Sequence, residues 1–191
     1  MIKTRQDLRE YLNQDRIQLG INRLHPRPFT DEIWKYEIIL RKYEYWVNQK
    51  DGFLIRLIKN YYKLKWHRWC VKLGISIGPN VCGKGLSIAH INGIQINGAA
   101  KVGENLRIQE CVTVGASGGN EAPIIGNNVY LASGCKVIGN VRIADNCVVG
   151  ANSVVVKDVI EEGITVAGVP AKKISNNDSQ RFVYFYDNKH G

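Results

Sequence analysis

The sequence predicts a mainly β fold, a parallel β-helix preceded by an α-helical N-terminal region, and three observations predict it. Apolar branched residues recur every six positions at Ile96, Val102, Ile108 and Val114, then after an interruption at Ile125, Leu131, Val137, Ile143, Val149 and Val155. Four positions beyond most of these stands a second, smaller set: Ala100, Leu106, Val112, Val129, Cys135, Val141, Cys147, Ser153 and Val159. Before Gly74, by contrast, the apolar spacing is that of helices. Ordinary strands alternate with period two, so a period of six sustained this long calls for another architecture. Each unit supplies one short strand with its branched side chain inward and a corner that a small residue permits. Three units close a triangular coil, and each coil buries the next.

The predicted boundaries are a helical region over 1–74, the β-helix over 75–175 and a tail over 176–191. Thr4 and Asp7 form a capping-box-like start, after which Leu8, Tyr11 and Leu12 share a face. His25-Pro26-Arg27-Pro28 breaks the chain, and Thr30-Asp31-Glu32 is expected to cap a second helix carrying Ile33, Trp34, Tyr36, Ile38, Ile39, Leu40 and Tyr43. Asp51-Gly52 signals a turn, and a third helix runs from about Phe53 to Lys72 with Gly74 placed to end it. Trp34, Trp46, Trp66 and Trp69 lie among these helices, where packing is the commonest use of such side chains.

The chain has 191 residues and a formal charge of +9. The charge is uneven: residues 1–74 hold 16 Lys and Arg against 8 Asp and Glu, while the remainder is nearly balanced. A solvated helix surface accounts for the surplus, and it also allows peripheral contact with an anionic membrane or an acidic glycan; no nucleic-acid partner is expected. No apolar run approaches the roughly 18 residues of a membrane span, and Arg and Asp stand where a signal peptide would be apolar, so the expected location is cytoplasmic. Cys70, Cys82, Cys111, Cys135 and Cys147 show neither paired nor metal-ligand spacing, so no metal and no disulfide framework are expected.

In a solenoid, function collects where a unit departs from its period. Ile88 to Ile96 is eight residues instead of six, the surplus falling in Ala89-His90-Ile91-Asn92-Gly93. Val114 to Ile125 is eleven, leaving Gly115-Ala116-Ser117-Gly118-Gly119-Asn120-Glu121-Ala122-Pro123 outside the coil. His90 is the one histidine within the repeats and sits in the first irregularity, which marks it as the candidate catalyst. His25, His67 and His190 are read as structural.

Four stretches then carry a resemblance: Gly85-Leu86-Ser87-Ile88-Ala89-His90-Ile91-Asn92-Gly93-Ile94, Val112-Thr113-Val114-Gly115, Val149-Gly150-Ala151-Asn152-Ser153-Val154-Val155 and Ala167-Gly168-Val169-Pro170-Ala171-Lys172. In this order they resemble the hexapeptide-repeat acyltransferases, within them the serine acetyltransferases and their relatives in polysaccharide gene clusters. The resemblance implies a left-handed β-helix, homotrimers with an acetyl-CoA groove between neighbouring β-helices, possible pairing of trimers through the N-terminal helices, and acetyl-CoA as cosubstrate. It also implies that Gly115, Ala116, Ala132, Ser133 and Ala151 line the groove and that Lys172 and Lys173 meet the nucleotide phosphates. His90 would take the proton of an acceptor hydroxyl as its oxygen attacks the thioester, and backbone N–H groups of the Gly115 to Gly119 loop would hold the oxyanion.

The chain also departs from the serine enzymes. They carry an Asp immediately before the catalytic His, a second Asp upstream that orients it, and a His in the protruding loop. Here Ala89 precedes His90, the upstream segment reads Ile75-Ser76-Ile77-Gly78-Pro79, and the loop has no histidine. The expectation is therefore an O-acetyltransferase acting on a sugar or polysaccharide hydroxyl, with a backbone carbonyl or Asn92 orienting the imidazole and with Asn92 and Glu121 as the candidate acceptor-binding residues. The alternatives are serine O-acetylation in cysteine synthesis and a non-catalytic β-helix scaffold. A γ-type carbonic anhydrase is excluded by the single repeat histidine.

Overall fold

A computed structural model of the protein describes residues 1–119 and 121–183. Three helices come first: α1 (Arg5–Gln18), α2 (Glu32–Val47) and α3 (Phe53–Leu73). The α1 start is a full capping box, Thr4 accepting from the Asp7 amide at 3.0 Å and the Asp7 carboxylate accepting from the Thr4 amide at 2.9 Å. The expected cap of α2 needs correction. Asp31 holds the N-cap position at φ 65°, a backbone turn that leaves its side chain without a bond to the helix. Its carboxylate instead accepts from the Arg27 amide and pairs with Arg23, each at 2.6 Å. Gly74 ends α3 in the left-handed conformation, φ 64°, where a side chain would press on the Asn92 backbone.

Beyond Gly74 the chain winds through five coils. The first holds β1 (Ile75–Ile77) and β2 (Ser87–Ile88); the second β3 (Ile94–Ile96), β4 (Lys101–Val102) and β5 (Arg107–Ile108). The third holds β6 (Thr113–Gly115), β7 (Ile124–Ile125) and β8 (Tyr130–Leu131); the fourth β9 (Lys136–Ile138), β10 (Arg142–Ile143) and β11 (Val148–Val149). The fifth holds β12 (Val154–Val155) and β13 (Thr165–Gly168), followed by β14 (Ala171–Ser175). Corresponding strands pair in parallel to make three sheets, ordered β1-β3-β6-β9-β12, β4-β7-β10 and β2-β5-β8-β11-β13-β14. The last pair, β13 with β14, is antiparallel.

All ten period-six residues and all nine of the second set are buried. One edge of the prism is further held by a ladder of asparagines in left-handed corners, Asn105 donating to Asn128 at 2.8 Å and Asn128 to Asn146 at 3.0 Å. Asparagine tolerates this backbone and brings its own donor and acceptor to the next coil.

The helices sit against the first coil. Tyr36, Leu40 and Leu73 join its aliphatic core, Trp34 is buried, and Trp66 and Trp69 pack beside the core, with the Trp66 indole donating to the Ile77 carbonyl at 3.1 Å. This seam also buries charge. Arg41 donates to Asp15 at 2.7 Å and Glu44 at 2.8 Å, and to the carbonyls of Cys82 at 2.9 Å and Gly83 at 2.5 Å. Asp15 accepts from the amides of Gly85 at 2.8 Å and Leu86 at 2.9 Å, Glu44 from that of Asn80 at 2.8 Å, and Glu37 from that of Ile88 at 3.2 Å. His190 and the rest of the predicted tail beyond Val183 lie outside the described residues.

Candidate active site

The two interruptions lie on different edges of the prism. Strand register places Ile88, Ile108, Leu131 and Val149 over one another, so the corners that follow these strands form a single column. Going up it, the residues two positions past each are His90, Glu110, Ser133 and Ala151. Adjacent members are separated by about one strand spacing, roughly 4.8 Å. Ala132 lies in the neighbouring column with Ala89. Lys172 pairs in register with Ala167, which continues the Ala132 column at the top of the same sheet.

Gly115, Ala116 and Glu121 belong to the other edge, where the third coil turns from β6 into β7. The five extra residues there are visible in the register: Lys101 to Ile124 spans 23 positions, whereas Ile124 to Arg142 spans 18. Gly118 and Gly119 take positive φ in open space, and Glu121 is tied down by the Asn140 side-chain amide at 2.8 Å. The structure thus gathers His90, Ala132, Ser133, Ala151 and Lys172 on one edge and Gly115, Ala116 and Glu121 on a second. Lys173 pairs with Glu161 at 2.6 Å. Asn92 is a left-handed corner, φ 79°, its amide bonded to the Leu73 carbonyl at 2.8 Å and its carbonyl to the Cys111 amide at 3.0 Å.

The His90 side chain is exposed at its corner. Glu110, directly above it, is a residue the sequence reading missed. Its own backbone amide, then the Ser133 hydroxyl, and further the charge of His90 hold its carboxyl below the ordinary carboxylate range, so it is ionised at neutral pH. Its Oε2 is shielded from solvent and has no hydrogen-bond partner among the described residues. Counting by coil could have found it: the two-residue insertion lengthens the step to 20, and 20 beyond His90 is Glu110.

Beside the segment carrying His90 lies a cavity of about 230 Å³ between the helices and the β-helix, lined in part by Asp31, Trp34, Ala89 and Arg107. It presents charges of both signs next to an aromatic wall. Burial pulls the Arg107 guanidinium below its ordinary value, the neighbouring Tyr130 and Glu37 partly opposing this. Arg107 also donates to Ser87 at 2.8 Å.

Residues 122–157 match the family described as bacterial transferase hexapeptide (six repeats). The chain is similar to the serine acetyltransferase of Staphylococcus aureus (strain Mu50 / ATCC 700699), 40% identical over 121 residues, which are 61% of this chain and 56% of that protein. The match therefore spans little more than half the length of that relative. Among solved structures, the serine acetyltransferase of Brucella abortus strain S19 superposes with a TM-score of 0.69 at 26% identity, covering 92% of this chain and 72% of that one. The same enzyme solved in complex with coenzyme A gives 0.67 at 25% identity, covering 90% and 68%. The left-handed β-helix behind N-terminal helices is the fold shared with these structures.

Proposed function

We propose that the protein is an acetyl-CoA-dependent O-acetyltransferase in which His90 is the general base. The observation that carries this reading is the column His90, Glu110, Ser133, Ala151: a base, a carboxylate beside it, and small residues above that leave backbone open to an extended thioester. The relatives named serine acetyltransferases, and the neighbour solved with coenzyme A, support it. In the reaction the imidazole takes the acceptor's hydroxyl proton as the oxygen attacks the acetyl carbonyl, and Glu110 stabilises the resulting imidazolium. The tetrahedral intermediate expels coenzyme A as thiolate, which recovers the proton from the imidazolium.

The edge with Gly115 and Ala116 is separate from the His90 edge within one chain. A groove using both is formed when a neighbouring copy brings its loop to this copy's column, which supports a homotrimer with sites between subunits.

For the acceptor, the relatives favour L-serine over the glycan expected from sequence. A sugar hydroxyl is the second reading, favoured by Ala89 preceding His90 where the serine enzymes carry Asp and by the lack of any Asp in the upstream segment Ile75-Ser76-Ile77-Gly78-Pro79. A thiol-release assay with acetyl-CoA over L-serine, nucleotide sugars and acidic oligosaccharides separates the two. Release with L-serine is expected, falling about a hundredfold to ten-thousandfold in His90→Ala. Glu110→Gln should lower kcat by less than the His90 change, leaving the KM for acetyl-CoA in place. Equal release by wild type and His90→Ala overturns the mechanism.

A further inference from the structure

Helix α3 uses one side for packing. Trp66, Trp69 and Leu73 face the core and α2, and Trp66 stacks on Tyr43 with ring centroids 5.5 Å apart. The opposite side carries Phe53, Leu54, Leu57, Tyr61, Leu64 and Val71, between 52% and 78% exposed. At 3.6 residues per turn these six fall on one continuous stripe. Exposed Arg56 and Lys63 run along one flank of the stripe, exposed Lys65 and Lys72 along the other, and Arg68 lies within it. The helix contains no Asp or Glu. Isolated apolar residues on a surface need no explanation, but a whole helical stripe does.

We propose that α3 docks the protein on an anionic bilayer surface, lying in the plane of the membrane. Charge decides the occupant. A helix with six cations and no anion repels the same helix of a second copy. Nucleic acid would engage the cations and leave the aliphatic stripe in water. An anionic bilayer satisfies both: the stripe enters the headgroup and acyl boundary while the flanking Lys and Arg side chains extend to the phosphates. No helix among the described residues is long and apolar enough to cross a membrane, so α3 lies on the surface, about 30 Å long. Its C-terminal end is bonded to the segment carrying His90, through Asn92 to the Leu73 carbonyl at 2.8 Å and Ile94 to the Gly74 carbonyl at 3.1 Å. The docking stands independently of the reaction assigned to that site.

The test is flotation of the full chain with phosphatidylcholine vesicles, with and without phosphatidylglycerol. Binding to the anionic vesicles is expected, with loss at high salt. Neutralising Arg56, Lys63 and Lys65 to Gln should weaken it about fivefold per charge, and Leu57→Gln with Leu64→Gln about tenfold or more. These positions are exposed, and circular dichroism checks that the variants remain folded. Absence of flotation by wild type overturns the proposal. So does flotation that survives the leucine changes, which means attraction without insertion. A leucine variant that lowers the oligomer's mass in light scattering, with no vesicle binding by wild type, assigns the stripe to a second copy and equally overturns it.

Discussion

The upper coils and the seam beneath the first coil are buried to the same degree by different chemistry. Coils three to five stack Val114, Ile125, Leu131, Val137, Ile143, Val149 and Val155, aliphatic on aliphatic. Every charged residue that is buried among the described residues lies on α1 or α2: Asp15, Glu37, Arg41 and Glu44. Aliphatic stacking is non-directional, and within the coils direction comes from the parallel hydrogen bonds. The helices have no ladder to align them, and the charged groups supply that alignment by bonding named carbonyls and amides of residues 80–88. The difference teaches that one molecule can hold position by repetition in one region and by individual polar contacts in another.

The strongest way to break this comparison is Arg41→Ala. It leaves Asp15 and Glu44 buried without their cation and should cost about 3–5 kcal/mol in urea unfolding. Hydrogen exchange should show α1 and α2 losing protection while coils three to five keep theirs. A cost below about 1 kcal/mol would mean that the seam is held by its apolar contacts after all. Ile108→Val, in a coil, should cost about 1 kcal/mol, and because its neighbours repeat the same packing the loss should be spread over the whole stack.

The mildest probe is Glu37→Gln, read as a slope against pH. Burial, and then the negative charge of Asp15, raise the Glu37 carboxyl well above its ordinary value. Below the ordinary value it is protonated folded and unfolded, and its stabilising contribution is complete. As pH rises past that value the unfolded chain ionises while the folded chain keeps its proton, so stability declines until the raised pKa is passed. Glu37→Gln should remove this decline and gain on wild type as pH rises. A wild-type thermal midpoint that climbs with pH over this range, beyond any climb in the variant, would reverse the sign.

The β-helix was legible because every coil is built alike, with a branched residue at each lead position and a small or branched one at each corner. The two interruptions were legible as failures of that count, and the structure sets His90 and the Gly115 loop at those points. Their separation onto different edges was not legible, since it depends on which corner of the triangle each occupies. Glu110 was missed because an isolated Glu in a repeat reads as solvated surface until the register puts it over His90. The same reading hid Asp15, Glu37, Arg41 and Glu44, whose charges look like a helix exterior until the first coil closes on them. The cap of α2 failed for a local reason, the left-handed backbone of Asp31.

The reversal at β14 has a consequence for the molecule's length. A stack of parallel coils ends in unpaired backbone that another stack could continue, and repetition alone gives no reason to stop. Here the lower end is closed by Tyr36 and Leu40 from α2, and the upper end of one sheet by a strand running backwards with Lys172 and Lys173 exposed. The two terminators work as bookends: the helices below and the reversed strand above oppose growth of that sheet into an end-to-end fibre.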